Sequence, residues 1–135
     1  MKRKLIKEFE QYKELDIEIN ALKLRIEAET IKGISYNDMP SSPNSNTRSS
    51  VEDAVLLIEK LKKDIARLEI KKRSIENLLE LLSDRDRIMF NMYYIEDKTL
   101  YDIAVKLDLS YQYVYQVKSK MINNLLKYAE RFGVI

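Results

Sequence analysis

The sequence predicts an all-α protein: two long, coiled-coil-like helices, arranged as a helical hairpin, followed by three shorter helices. Three observations carry this. Gly and Pro number only two each in 135 residues, whereas sheet-rich folds need many turns and turns need those residues. Apolar residues recur at helical spacing over two long stretches. The last third instead holds short apolar segments, each opened by a Ser or Thr of the helix-capping type.

Residues 2–32 contain no Gly or Pro, and Tyr12, Leu15, Ile19, Leu22 and Ile26 follow a 3-4-3-4 spacing. That spacing stacks them as one stripe along a helix, and Leu5 and Phe9 extend it towards the amino end. Residues 33–50 hold one of the two glycines and both prolines among many serines, so they read as a loop and as the clearest linker in the chain. Ser49 and Glu52 then have the spacing of a capping box and predict the start of a second helix. In that helix Val51, Val55, Ile58, Leu61, Ile65, Leu68, Ile75, Leu79 and Leu82 occupy heptad a and d positions, broken by Lys72. The stripe is narrow, as in a seam between few helices. It serves pairing within the chain, self-association, or both, since two hairpins can join into a four-helix bundle. The chain therefore divides into residues 1–82, for coiled-coil pairing and oligomerisation, and residues 83–135.

The second part carries the functional reading. Ser83 is placed to cap a helix with Asp86 at its third position, and Ile88, Met89, Met92 and Tyr93 form its apolar face. Thr99 and Asp102 repeat the pattern for a short helix ending at Leu107, and Ser110 caps a last helix running from Tyr111 to about Arg131. Two short helices that cross steeply need a small residue at the contact, and Ala104 is there. The tight turn needs a residue that tolerates positive φ, and Asp108 occupies it. Val114, Val117, Met121 and Leu125 form the inward face of the last helix, with Leu100, Ile103 and Leu107 completing a small core. This is the layout of a helix-turn-helix.

The opposite face of the last helix carries Gln112, Tyr115, Gln116 and Ser119, flanked by Tyr111, Tyr113 and Lys120. Gln pairs with two atoms of an adenine edge in the major groove, and Tyr donates to phosphates. The chain's net charge is only +2, yet residues 109–129 hold Lys118, Lys120 and Lys127 and no acid. Local charge thus favours duplex DNA where global charge is silent. The candidate DNA-contacting residues are Thr99, Ser110, Tyr111, Gln112, Tyr113, Tyr115, Gln116, Ser119 and Lys120, and Arg85 and Arg87 are within reach of flanking backbone.

Composition narrows the alternatives. There is no Cys and no His, which removes thiolate chemistry and the commonest general base and metal ligand. No Gly-rich phosphate loop or acidic metal loop is present. The expectation is a protein that is not an enzyme and has no cofactor, metal or small-molecule substrate. No apolar run has the length of a membrane span, and the basic start Met1–Lys7 lacks the apolar core of a signal peptide. A cytoplasmic location follows as an expectation.

From Ser83 to Leu126 the sequence resembles region 4 of the sigma-70 family. Ser83-Asp84-Arg85-Asp86-Arg87-Ile88 resembles its first helix, Met92–Thr99 its connector, and Ile103-Ala104 with Leu107, Ser110 and Val114 its reading motif. The whole layout is similar to small phage and prophage transcription regulators of the ArpU and DUF1492 type. That resemblance implies base reading by Tyr111, Gln112, Tyr115 and Gln116, with Lys120 at a backbone or partner contact. Sigma region 4 more often has Arg and Glu at these positions, so the usual promoter element is not implied. The chain also has no room for the sigma domain that binds the polymerase clamp and melts DNA, so an activator or repressor is expected, acting as a homo-oligomer with a dimer favoured. Two other readings remain open: a module that binds RNA polymerase or a phage protein, and the small DNA-recognising subunit of a phage packaging terminase.

Overall fold

A computed structural model describes the backbone of residues 1–38 and 46–135 and the side chains of residues 1–32 and 51–135. The described chain is all helix and loop: α1 (Lys2–Asp38), α2 (Asn46–Leu79), α3 (Asp84–Phe90), α4 (Leu100–Leu107) and α5 (Tyr111–Ala129), with a π-helical turn Asn91–Ile95 continuing α3. The all-α expectation is met, including the three short helices after the two long ones.

The predicted loop at 33–50 is corrected. α1 continues through Gly33 to Asp38, and α2 is already helical from Asn46; the rest of that loop lies outside the described residues. A glycine costs a helix only about 1 kcal/mol and does not end it. Ser49 does not cap α2, which starts three residues earlier. A capping box is a local preference of about 1 kcal/mol, and Thr47-Arg48-Ser49-Ser50 contains nothing that stops a helix.

The chain forms two compact units, Met1–Leu15 with Ile70–Ile135, and Asp16–Glu69. The boundary read from sequence at residue 82 therefore differs from the packing, which draws both ends of the long helices into the carboxy-terminal unit.

In the Asp16–Glu69 unit, Ile19 from α1 and Leu61 and Ile65 from α2 are buried, and Lys23 bridges to Glu69 at 3.6 Å. The seam weakens towards Val51 and Val55, which are exposed.

The other unit has an aromatic centre. Phe9 and Phe90 are fully buried and meet edge to face, with centroids 5.0 Å apart. Tyr94 leans in at a tilt, 4.9 Å from Phe90 and 5.6 Å from Phe9 between centroids. Edge-to-face rings place a positive rim on a negative face, which adds to the area they bury. Leu5, Ile75, Leu78 and Leu79 are buried around the ends of the long helices. Lys71 forms an ion pair with Glu8 at 2.8 Å, and the Tyr12 hydroxyl donates to Glu76 Oε1 at 3.2 Å. Burial first, and then the Glu76 carboxylate, push the Tyr12 phenol up to about 12. Lys72, the break in the heptad stripe, sits half-buried and pairs with Glu76 one turn on. At the other end α5 closes through Gly133, whose φ of 77° lets Val134 turn back and donate to the Ala129 carbonyl at 2.8 Å. Val134 is thereby buried.

Candidate nucleic-acid interface

The short helices are set by their caps. Ser83 accepts from the Asp86 amide, and Asp84 and Asp86 lie in the first turn of α3, where the helix dipole favours negative charge. α3 then widens into the π turn, with the Glu96 amide reaching back five residues to Asn91 at 2.9 Å. The chain leaves it through Asp97 at φ 56°. Thr99 caps α4 in a reciprocal box: its hydroxyl accepts from the Asp102 amide and Asp102 accepts from the Thr99 amide, both at 3.1 Å. That backbone donor holds the Asp102 carboxyl below its ordinary range.

The bend between α4 and α5 follows the sequence reading. Asp108 stands in the left-handed region at φ 55°, ψ 48°. The Leu109 amide returns to the Ala104 carbonyl at 2.9 Å, and Ser110 caps α5 by accepting from Tyr113 at 3.1 Å. Ala104 is buried in one cluster with Met89, Met92, Ile103, Val114 and Val117, rimmed by Tyr93, Leu100, Leu107 and Leu109. Any larger residue at 104 would push the two helices apart. Of the face expected for α3, Met89 and Met92 are buried but Ile88 is 47% exposed. Phe90, fully buried instead, was not visible as core in the periodicity.

This packing turns most of the predicted reading residues outward together. Tyr111, Gln112, Tyr113, Tyr115, Gln116 and Lys120 are all exposed, whereas Ser119 is half-buried at the edge of the face. Thr99 and Ser110 lie at the amino ends of α4 and α5, each with its hydroxyl committed to a cap. Successive one-turn steps from Gln112 to Gln116 and Lys120 lie along one line of the helix, and Asn123, Asn124 and Lys127 continue the exposed polar surface. The two asparagines were missed by the sequence reading, although that same spacing would have found them.

Two cations behave differently from expectation. Lys118 is not part of the outward charge: its amine lies 3.6 Å above the Tyr93 ring, a cation–π contact that ties α5 to the π turn. Arg85, from α3, donates to the Tyr113 hydroxyl at 3.0 Å and lies 5.6 Å from that ring. The bond raises the Arg85 pKa and holds Tyr113 at the margin of the reading face. Lys120 and Lys127 remain as exposed positive charge on α5, which has no acid in its first turn. Beside this surface an open cleft of 560 Å³ is bordered by Thr99 and Tyr111, by the acids Glu10 and Asp97 and by Lys13 and Lys98. Its mixed charge does not suit a phosphate backbone. Among the described residues no helix is long and apolar enough to cross a membrane.

Comparison with known proteins adds to this geometry. A 55-residue stretch of the chain is 38% identical to a UPF0122 protein of Caldanaerobacter subterraneus subsp. tengcongensis, covering 41% of this chain and 47% of that protein. Stretches of the same length are 36% identical to UPF0122 proteins of Thermoanaerobacter sp. and Thermoanaerobacter pseudethanolicus, with the same coverage. The chain thus spans about half the length of the curated relatives it matches. No solved structure matches it. Residues 72–116 match the family described as Sigma-70, region 4, a match that takes in the end of α2, reaching further back than Ser83, and stops inside α5. Among the described residues the chain is all helix and loop, and over residues 72–116 it carries a sigma-70 region 4 domain, a helix-turn-helix of the DNA-binding class.

Proposed function

We propose that this chain is a sequence-specific transcription regulator that binds duplex DNA by laying α5 in the major groove. The observation that carries the proposal is the outward face of α5. Directly after the Asp108 bend it presents Gln112, Tyr115, Gln116 and Lys120 to solvent on a helix with no acid in its first turn. The sigma-70 region 4 match, which runs through the bend and the first turns of α5 as far as Gln116, supports it. Gln112 and Gln116 read base edges, with Tyr111 and Tyr115 beside them on base methyls and sugars. Tyr113 and Lys120 meet phosphates, and Thr99, Ser110 and Ser119 line the approach of the backbone. The protein does no chemistry on its target and acts in the bacterial cytoplasm, working with a second copy so that two reading helices address repeated half-sites. The resemblance to ArpU-type proteins supports a phage or prophage origin.

The test is selection of bound sequences from a random duplex pool, followed by footprinting. A defined site is expected. Gln112→Ala with Gln116→Ala should flatten preference at the bases they touch, by about 1–3 kcal/mol for each bidentate pair lost. Lys120→Ala should weaken all sequences alike and reduce the salt dependence by about one phosphate contact. Absence of any sequence preference at low and moderate salt overturns the reading. So does full regulatory activity in the double Gln variant, which would favour a role in binding RNA polymerase or another protein.

A further inference from the structure

The apolar stripe of α1 that runs through Leu15 and Ile19 is buried within the chain and is not free for a partner. α1 has a second stripe on another face. Ile17, Ala21, Leu24 and Ala28 follow a 4-3-4 spacing, which is again a coiled-coil seam. All four are exposed, Ile17 at 68% and Leu24 at 65%, and Ile31 extends the strip at 66%. Large aliphatic side chains left in water at heptad spacing mark an association surface more than a solvated face.

We propose that this second seam pairs, antiparallel, with the same seam of a second copy of this chain. The proposal deepens the two-copy part of the function above by assigning its surface. Two physical arguments choose the partner and its direction. The first is layer volume. In a parallel pair each residue meets its own copy, so Ala–Ala layers alternate with Leu–Leu or Ile–Ile layers, and the small layers leave voids. In an antiparallel pair Ile17 meets Ala28 and Ala21 meets Leu24, so each of these four layers holds one large and one small residue and packs evenly, with Ile31 opposite Glu14 at the rim.

The second argument is charge. That register brings Glu18 of each copy beside Arg25 of the other, two opposite-charge pairs related by a two-fold axis. Glu18 and Arg25 are exposed and have no ion pair among the described residues. A parallel pair would instead draw on Lys13 and Lys32, which already bond Asp97 and Glu29.

The full chain is tested by sedimentation without DNA, so that failure of the DNA reading leaves the result intact. The wild type is expected to be a dimer. Leu24→Glu buries a charge in the seam and should weaken the dimer at least about a hundredfold, with helix content unchanged by circular dichroism. Glu18→Arg should weaken it too, and Glu18→Arg with Arg25→Glu should restore it.

Direction is read by cross-linking, since the chain has no native cysteine. Ile17→Cys with Ala28→Cys should give a disulfide-linked dimer. The two positions lie about 16 Å apart along one helix and do not join within a chain. Ile31→Cys alone should give none. A monomeric wild type, a Leu24→Glu variant that stays dimeric, or efficient linkage through Ile31→Cys overturns the proposal.

Discussion

Replacing Phe9 by Ala should unfold the reading helix more readily, although the two are more than 100 residues apart in sequence. Phe9 is fully buried and its ring touches those of Phe90 and Tyr94, which belong to α3 and its π turn. Loss of a buried Phe costs about 3–5 kcal/mol, because the neighbours close only part of the cavity. That is a large share of a domain stability of about 5–15 kcal/mol. If residues 1–15 fold as one unit with residues 70–135, the loss is felt throughout the unit, including α5. Since about 1.4 kcal/mol is a factor of ten, protection of the Val114 and Val117 amides set by global opening should fall about a hundredfold or more. Hydrogen exchange followed over the 111–129 segment measures this directly. Phe9→Leu, which keeps most of the volume, should cost about 1.5 kcal/mol or less. Unchanged protection in α5, with faster exchange confined to the start of α1, would refute the reasoning. It would mean that the first helix turns are attached to an independently stable domain.

Three further outcomes follow from the same packing. Ala104→Leu should destabilise by about 1–3 kcal/mol through overpacking of the α4–α5 crossing, read as a lower urea midpoint with unchanged slope. Asp108→Val should cost about 1–2 kcal/mol because a side chain branched at Cβ opposes positive φ, whereas Asp108→Gly should be nearly neutral; equal effects would remove the left-handed bend from the account. The Asp102 carboxyl is lower in the folded chain than in the unfolded one, so its contribution is present above the ordinary carboxylate pKa of about 4. It is lost as pH falls through the lower folded value. Wild type and Asp102→Asn should therefore differ in thermal midpoint at neutral pH and converge in acid, and a constant gap would count against the capping box.

Much of the candidate site was legible because it is local. Ser83, Thr99 and Ser110 cap through amides three residues away, and Asp108 takes the one conformation that ends α4 there. Those preferences need no knowledge of the rest of the fold. The failures are equally physical. The extent of α1 and α2 was misread because Gly and Ser weaken a helix without stopping it, and Ser49 offered a cap that propagation overran. Lys118 was counted as free charge because a cation over Tyr93 is a through-space contact between two elements. Tyr94 escapes such a reading because the π turn breaks the regular period on which it rests, and Phe90, still inside α3, because its burial comes from Phe9 on a distant helix.

Sequence alone determined the helical class, the order of the elements, the caps of the three short helices and the outward polar face of α5, since each depends on residues within about one turn of one another. Only the tertiary structure decided that Leu5 and Phe9 belong with the helix-turn-helix, that Arg85 holds Tyr113, and that α1 keeps a second apolar face uncovered. Burial is a property of what packs on a residue from elsewhere in the chain, and a periodic pattern names a face without naming its partner.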